Sequence, residues 1–387
     1  MTEWREKKLE NVFYIAKDTF KPSEEQQYKY IGLEHIEQNS LRINGWGYSN
    51  TVQSNKYFFQ KDDVLFGKLR PYFRKVIKAP FDGVCSTDIW VCRVKKGFDQ
   101  NFLFYFLANQ EFVDTANSTD EGTRMPRADW SYLKNIIWNL PPLPEQKAIA
   151  EVLSSLDDKI DLLTRQNKTL EDLAQAYFRK WFIEDASEDW EVGKLGDIIE
   201  TIESGSRPKG GIDPELKFGV PSIGAENING IGNYDYSKTK FIPEKFFLSM
   251  KKGIVKNYDV LIYKDGAYVG KKSMFGNGFP YDKCAINEHV FILRTNKKAN
   301  QFYLYFLLEE DELAQLNTNS AQPGLNKKSL LSMPITIPPI ELVCKFESYA
   351  KSIFDKILSN SEQVFILSQL RDTLLPKLIS GEIRVKM

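Results

Sequence analysis

Histidine is almost missing from this chain of 387 residues: only His35 and His289 occur. They lie far apart, with no serine or cysteine nucleophile motif nearby. The residues therefore offer no His-based triad and no metal site, and both are read as structural or surface side chains. Cysteine is scarce too. Cys85, Cys92, Cys284 and Cys344 form no C-x-x-C pair, which suits buried free thiols of a reducing compartment better than a disulfide frame. No G-x-x-x-x-G-K-[ST] loop is present for a nucleotide phosphate, and the "GIG" at Gly230 lacks the third glycine that dinucleotide binding needs. "ELK" at Glu215 to Lys217 has the residue types of a metal nuclease but is a common triplet. The two Pro-Pro pairs follow Leu140 and Ile337, not the Asn or Asp of an amino-methyltransferase. Net charge is absent as well, with 52 basic against 52 acidic residues, so charge alone names no partner. Long apolar runs are lacking: Phe102 to Ala108 is far short of the ~20 residues that cross a bilayer. The opening "MTEWREKKLENV" has no apolar signal core, so a cytoplasmic protein without a membrane span is expected.

What the chain does have is a repeat. Apolar residues make up 42% and aromatics 13%, enough to build more than one core. "DDVLF" (Asp62 to Phe66) returns as "YDVLI" (Tyr258 to Ile262). "NFLFYFL" (Asn101 to Leu107) returns as "QFYLYFL" (Gln301 to Leu307), and "LPPL" (Leu140 to Leu143) as "IPPI" (Ile337 to Ile340). Trp4 with Lys8-Leu9 is echoed by Trp190 with Lys194-Leu195. The order is kept while the offset drifts between 186 and 200 residues. That pattern fits two halves of common design differing by loop insertions, and it is far longer than a solenoid period.

Each half opens with short runs rich in Val, Ile, Phe, Tyr and Trp, such as "KYFFQ", "GVCSTDIWVCRV" and "HVFILRT", broken by Gly, Pro, Asn and Asp. These predict strands joined by turns in an α+β domain. Each half closes with a proline pair and a heptad helix. From Ile149 the apolar seam runs Leu153, Leu156, Ile160, Leu163, Asn167, Leu170, Ala174, Tyr177, Trp181. A second seam runs from Phe346 through Ala350, Ile353, Ile357, Asn360, Val364, Leu367, Arg371 and Leu374 to Leu378. Pairing them antiparallel sets Asn167 opposite Asn360, so that each seam amide finds a partner, whereas a parallel pairing sets Asn167 against Val364. Arg371 then meets Leu156 and must reach past the seam to water or a carboxylate. The expected organisation is a domain over 1–143, a spacer helix over 144–185, a second domain over 186–339, and a second helix with its tail over 340–387. The two α/β domains would be related by a pseudo-twofold axis across the Asn167/Asn360 layer.

The loops carry the binding candidates. "FGKLRPYFRKVIK" interleaves Lys68, Arg70, Arg74 and Lys75 with Tyr72, a mixture that can neutralise phosphates and lay rings on bases or sugars. Its counterpart brings Lys264, Tyr268, Lys271 and Lys272. "EGTRMPR" offers Thr123, Arg124 and Arg127, matched by Asn319, Gln322, Asn326 and Lys327, while "ESGSRPKGG" adds Ser204, Ser206, Arg207 and Lys209. Arg on guanine and Asn or Gln on adenine are the pairings that major-groove edges allow.

"LPPLPEQKAIAEVLSSLDDKIDLL", the closing "LRDTLLPKLISGEIRV", the "QPGLN" turn and the alternation of two domains with two long helices together resemble the specificity subunit of type I restriction-modification systems. The second copy departs from the pattern, with "IPPIELVCKF" lacking the Glu-Gln pair. The resemblance implies two target recognition domains, each reading one half of a bipartite sequence in double-stranded DNA, and an antiparallel coiled coil that spaces them. It implies two modification (methyltransferase) subunits, which carry S-adenosylmethionine and methylate adenine, and restriction (translocase and nuclease) subunits that use ATP and Mg. It implies no cofactor, metal or catalytic residue in this chain. The rival expectation is a bivalent protein-binding scaffold with a coiled-coil spacer.

Overall fold

Strands form where the sequence places β-branched and aromatic residues between turn formers. "KYFFQ" gives the strand Lys56–Phe59, "GVCSTDIWVCRV" gives Gly83–Ser86 and Ile89–Val94, and "HVFILRT" gives Val290–Thr295. The structure is a computed structural model that describes residues 3–118, 125–308, 313 and 324–386. The chain divides into two compact units, Met1–Asp158 with Leu367–Met387, and Lys159–Ile366.

In the first unit, Phe13–Ala16, Ile89–Val94, Val64–Gly67 and Val76–Lys78 form an antiparallel sheet in that spatial order. A second sheet runs through Thr19–Phe20, Lys56–Phe59, Gly83–Ser86, Lys29–Ile31 and Gly47–Tyr48. The second unit repeats the first of these sheets with Ile199–Ser204, Val290–Thr295, Val260–Tyr263 and Lys272–Met274, extended by Gly230–Ile231. Each unit also has a two-stranded ribbon that brings the start of its half to the proline pair: Arg5–Lys8 on Ile137–Leu140, and Glu191–Lys194 on Pro334–Ile337. The near-repeat "NFLFYFL" and "QFYLYFL" forms two short helices, Gln100–Ala108 and Gln301–Leu307, started by Asp99 and Asn300 accepting from the Phe102 and Tyr303 amides at 2.9 and 2.8 Å. Almost every side chain of both is buried, which explains the absence of an amphipathic stripe.

A pair of ion pairs braces the two repeated sheets. Arg93 forks onto Asp63 with both contacts at 2.7 Å, and Arg294 forks onto Asp259 at 2.8 and 2.6 Å. Each carboxylate also accepts a turn amide, from Gln60 at 2.7 Å and Lys256 at 2.8 Å. Burial raises the Asp259 carboxyl above its ordinary value, against the pull of Arg294.

The proline pairs lead into helices Leu143–Arg179 and Ile340–Ser380, the first continuing in a π turn over Lys180–Glu184. Every predicted seam position on both is buried or half-buried. In the second unit the Asn360 amide donates to Asn167 Oδ1 at 2.9 Å and to Gln166 Oε1 at 2.9 Å, while Asn167 donates to Ser361 Oγ at 3.0 Å. The antiparallel register is thus the observed one, and Trp181 lies 6.3 Å from Phe346 between ring centres, as the same register requires. In the first unit Arg371, 4% exposed, reaches the carboxylate that the seam lacks: its guanidinium donates to Asp157 at 2.8 Å. Asp157 in turn accepts from the Tyr105 hydroxyl at 2.7 Å. The helix ends are built into the domain cores. Ile149, Leu153, Leu375 and Leu378 join the first core, and Phe178, Phe346, Ala350 and Phe354 the second.

Candidate nucleic-acid interface

In each unit a loop leaves an inner strand of the repeated sheet, Val64–Gly67 or Val260–Tyr263, and is tied by its backbone to neighbouring segments. In the first, the Lys68 amide donates to Asp88 O at 2.9 Å, Ala128 donates to Lys68 O at 2.9 Å, and Arg70 donates to Pro126 O at 2.8 Å. The second unit repeats the first two of these, with Lys264 on His289 O at 3.0 Å and Leu325 on Lys264 O at 2.7 Å. The loops singled out from sequence as separate candidates, around Lys68 and Arg127 and around Lys264 and Lys327, are therefore neighbours in the fold.

The turn at the tip of the first loop also recurs. Phe73 N–H donates to Arg70 O at 3.0 Å, and at the equivalent place Val269 N–H donates to Gly266 O at 3.3 Å. Gly67 N–H donates to Lys75 O at 2.8 Å as Tyr263 N–H does to Lys271 O at 2.8 Å. The two positions bracketing the turn are left-handed in both units: Arg70 at φ 52° and Arg74 at φ 48° in the first, Gly266 at φ 67° and Gly270 at φ 90° in the second. Glycine takes that region freely, while a residue with a β carbon pays about 1 kcal/mol or more for it. Tyr72 and Tyr268 stand at matching places on the turn, 43% and 54% exposed.

Several of the predicted contact residues have partners within the fold. Arg74 Nε donates to Ala108 O at 2.6 Å, with Asp372 3.9 Å away, and its side chain is 11% exposed. Burial holds its guanidinium below the ordinary value. Lys272 Nζ donates to Tyr305 O at 2.7 Å and to Leu308 O. Both cations thus sit on the carbonyl end of the short buried helix of their unit, where the helix dipole favours positive charge. Lys75 Nζ donates to Leu33 O at 2.5 Å, and burial pulls it below its ordinary value too. Asn326 is a helix cap, accepting from the Ser329 amide at 2.8 Å, as Asp129 does from Ser131 at 2.8 Å. Lys327 donates to Ile202 O at 2.8 Å from an exposed position, and Ser204 Oγ to Glu288 O at 3.2 Å. These groups hold loops in place.

The rest face outward in whole or part. Lys68 and Arg70 are half-buried, and Arg127 is half-exposed with Asp88 at 3.5 Å. Lys209 is exposed and Ser206 half-buried. Lys264 lies over the Phe291 ring at 5.0 Å, and Lys271 over Tyr268 at 4.7 Å. Arg207 pairs with Glu288, which also meets His289 Nε2 at 3.2 Å, and His289 Nδ1 meets Asp265 at 2.7 Å. His289, read from sequence as structural or surface, is thus the link between the Arg207 loop and the Lys264 loop. Thr123, Arg124, Asn319 and Gln322 lie outside the described residues.

Sequence reading missed two anchors. Glu145, 1% exposed, is held by Arg384 with one contact at 2.7 Å and by Trp4 Nε1 at 3.2 Å. Gln146 donates to Pro141 O at 2.8 Å and accepts from the Asp99 amide at 2.9 Å. The "PEQ" at the helix start therefore fastens the tail "GEIRV" to the first unit. The counterpart Leu342 has no group for either job.

What these surfaces offer is cations, amides and rings on loops tied by backbone hydrogen bonds. Among the described residues no group of three or more His, Cys, Asp or Glu is placed to hold a metal ion, and no helix is long and apolar enough to cross a membrane. A family model described as the type I restriction modification DNA specificity domain matches residues 1–172 and again 187–369. The chain is similar to two Methanocaldococcus jannaschii proteins. It is 27% identical to the type I restriction enzyme MjaIX specificity subunit over 76% of this chain and 71% of that one. To the MjaVIII specificity subunit it is 29% identical over 78% and 74%. Its fold is that of the type I restriction-modification system S subunit from M. genitalium, with a TM-score of 0.60, 17% identity and coverage of 99% and 96%. With the family model matching nearly the whole length in two copies, the chain belongs to the type I restriction-modification DNA specificity family.

Proposed function

We propose that this chain is the DNA-specificity subunit of a type I restriction-modification complex. Each repeated domain reads one half of a bipartite, asymmetric target in double-stranded DNA, and the paired long helices set the number of unread base pairs between the halves. The observation that carries this reading is one loop frame, with four backbone hydrogen bonds and the two left-handed bracketing positions in common, presented in both units with different side chains. Phosphate contacts by the outward cations would fix register, and a few loop side chains would discriminate bases. Different loops on one frame give two different half-sites.

The chemistry is assigned to partners. Two modification subunits bring S-adenosylmethionine and methylate adenine, and restriction subunits translocate and cut with ATP and Mg. This chain contributes no catalytic group and binds none of these cofactors. With zero net charge, the isolated chain is expected to bind DNA weakly and with a shallow salt dependence, most of the affinity coming from the assembly. The test is a map of methylated adenines in cells carrying the complex. Two different half-sites at one fixed gap are expected; a single continuous site, or no methylation that depends on this chain, contradicts the proposal.

A further inference from the structure

The two left-handed arginines of the first unit have unequal reasons to be where they are. Arg74 is anchored by its side chain to Ala108 O. Arg70 has no side-chain partner among the described residues, and its Nε is buried without an acceptor. The turn itself needs no arginine there, because Gly266 occupies the equivalent position in the second unit and makes the same turn. Arg70 thus holds a disfavoured backbone conformation and a buried unpaired donor, with nothing inside the fold given in return. The turn is over-determined around it: Asn39 N–H donates to Phe73 O at 3.2 Å, Lys75 to Leu33 O at 2.5 Å, and Arg70's own amide is held by Pro126 O.

We infer that Arg70 is a specificity-determining residue of the first half-site, its guanidinium forking onto the edge of a guanine. The inference rests on the DNA-specificity reading and names the residue that carries it in one domain. A planar fork on a fixed main chain suits bidentate base readout, whereas a phosphate contact is served as well by a mobile lysine. Arg74 is a positioning residue for the same turn. Tyr72, exposed next to Arg70, would lie against the neighbouring base or sugar.

The experiment uses the full chain assembled with its modification subunits, with methylated-adenine motifs read by sequencing for wild type, Arg70→Gly and Arg70→Lys. Wild type is expected to require guanine at one position of one half-site. Arg70→Gly should accept other bases there, discrimination falling on the order of tenfold or more, while the other half-site is unchanged. Its thermal midpoint should not fall, because glycine relaxes the turn. Arg70→Lys should fail to restore the guanine. An unchanged motif with evenly weaker activity, rescued by lysine, would make Arg70 a phosphate contact and overturn the inference. So would a change confined to the other half-site. A wild-type map without two half-sites would overturn the specificity reading and this inference together.

Discussion

The two units solve one problem with different residues. The first caps its buried helix with Arg74 and brackets its turn with arginines; the second caps with Lys272 and brackets with Gly266 and Gly270. The first uses Glu145 and Gln146 to fasten the tail and the ribbon, where the second has Leu342 and Val343. Yet the ion pair beneath the sheet, the helix caps Asp99 and Asn300, and four backbone hydrogen bonds of the loops are held in common. The frame is what repeats, and the side chains exposed on it are what vary, which is the division expected when positioning and discrimination are separate tasks.

The comparison is tested most harshly at the shared ion pair. Asp63→Ala and Asp259→Ala should each cost about 3 kcal/mol, since each takes the forked, buried carboxylate from a largely buried arginine, Arg294 keeping only Glu203 at 2.7 Å and Arg93 only Asp18 at 3.7 Å as ion-pair partners among the described residues; denaturant midpoints measure this. If Asp259→Ala were nearly harmless while Asp63→Ala was not, the frame would not be common. The Asn layer comes next. Asn360→Leu leaves Asn167 Oδ1 without its donor and should cost about 2 kcal/mol, most of it recovered in the Asn167→Leu, Asn360→Leu double variant. Cysteines at 167 and 360 should cross-link, and a pair at 167 and 364 should not. Smaller still, Gly270→Ala should cost about 1 kcal/mol by forcing a β carbon into the left-handed region, a penalty the first unit already bears at Arg74. The last contrast is local: Glu145→Ala should expose the tail to protease, while Leu342→Ala should leave cleavage unchanged.

Much of this was legible beforehand. The heptad spacing, with one asparagine in each seam, gave the register that the Asn167 and Asn360 amides adopt, because a 3.5-residue repeat leaves little choice of face. The loop around Lys68 could be matched with that around Lys264, and the one around Arg127 with that around Lys327, because the repeat kept their order; that the two loops of one unit touch was not legible. The direction of individual side chains was not legible. A cation in a polar loop looks the same in sequence whether it faces solvent or, like Arg74, Lys75 and Lys272, ends on a carbonyl supplied by a distant segment. The Asp63–Arg93 and Asp259–Arg294 pairs were present in the aligned "DDVLF"/"YDVLI" and "VCRV"/"ILRT" runs, but the partners are some 30 residues apart. Only the sheet brings them together.

The central claim is that two reading domains are spaced by a helix pair, and inserting four residues into both helices at matching seam positions tests it most directly. One added turn, ~6 Å, should widen the unread gap by about one to two base pairs and leave both half-sites as they were. A methylation map with an unchanged gap, or with altered half-sites, would contradict it.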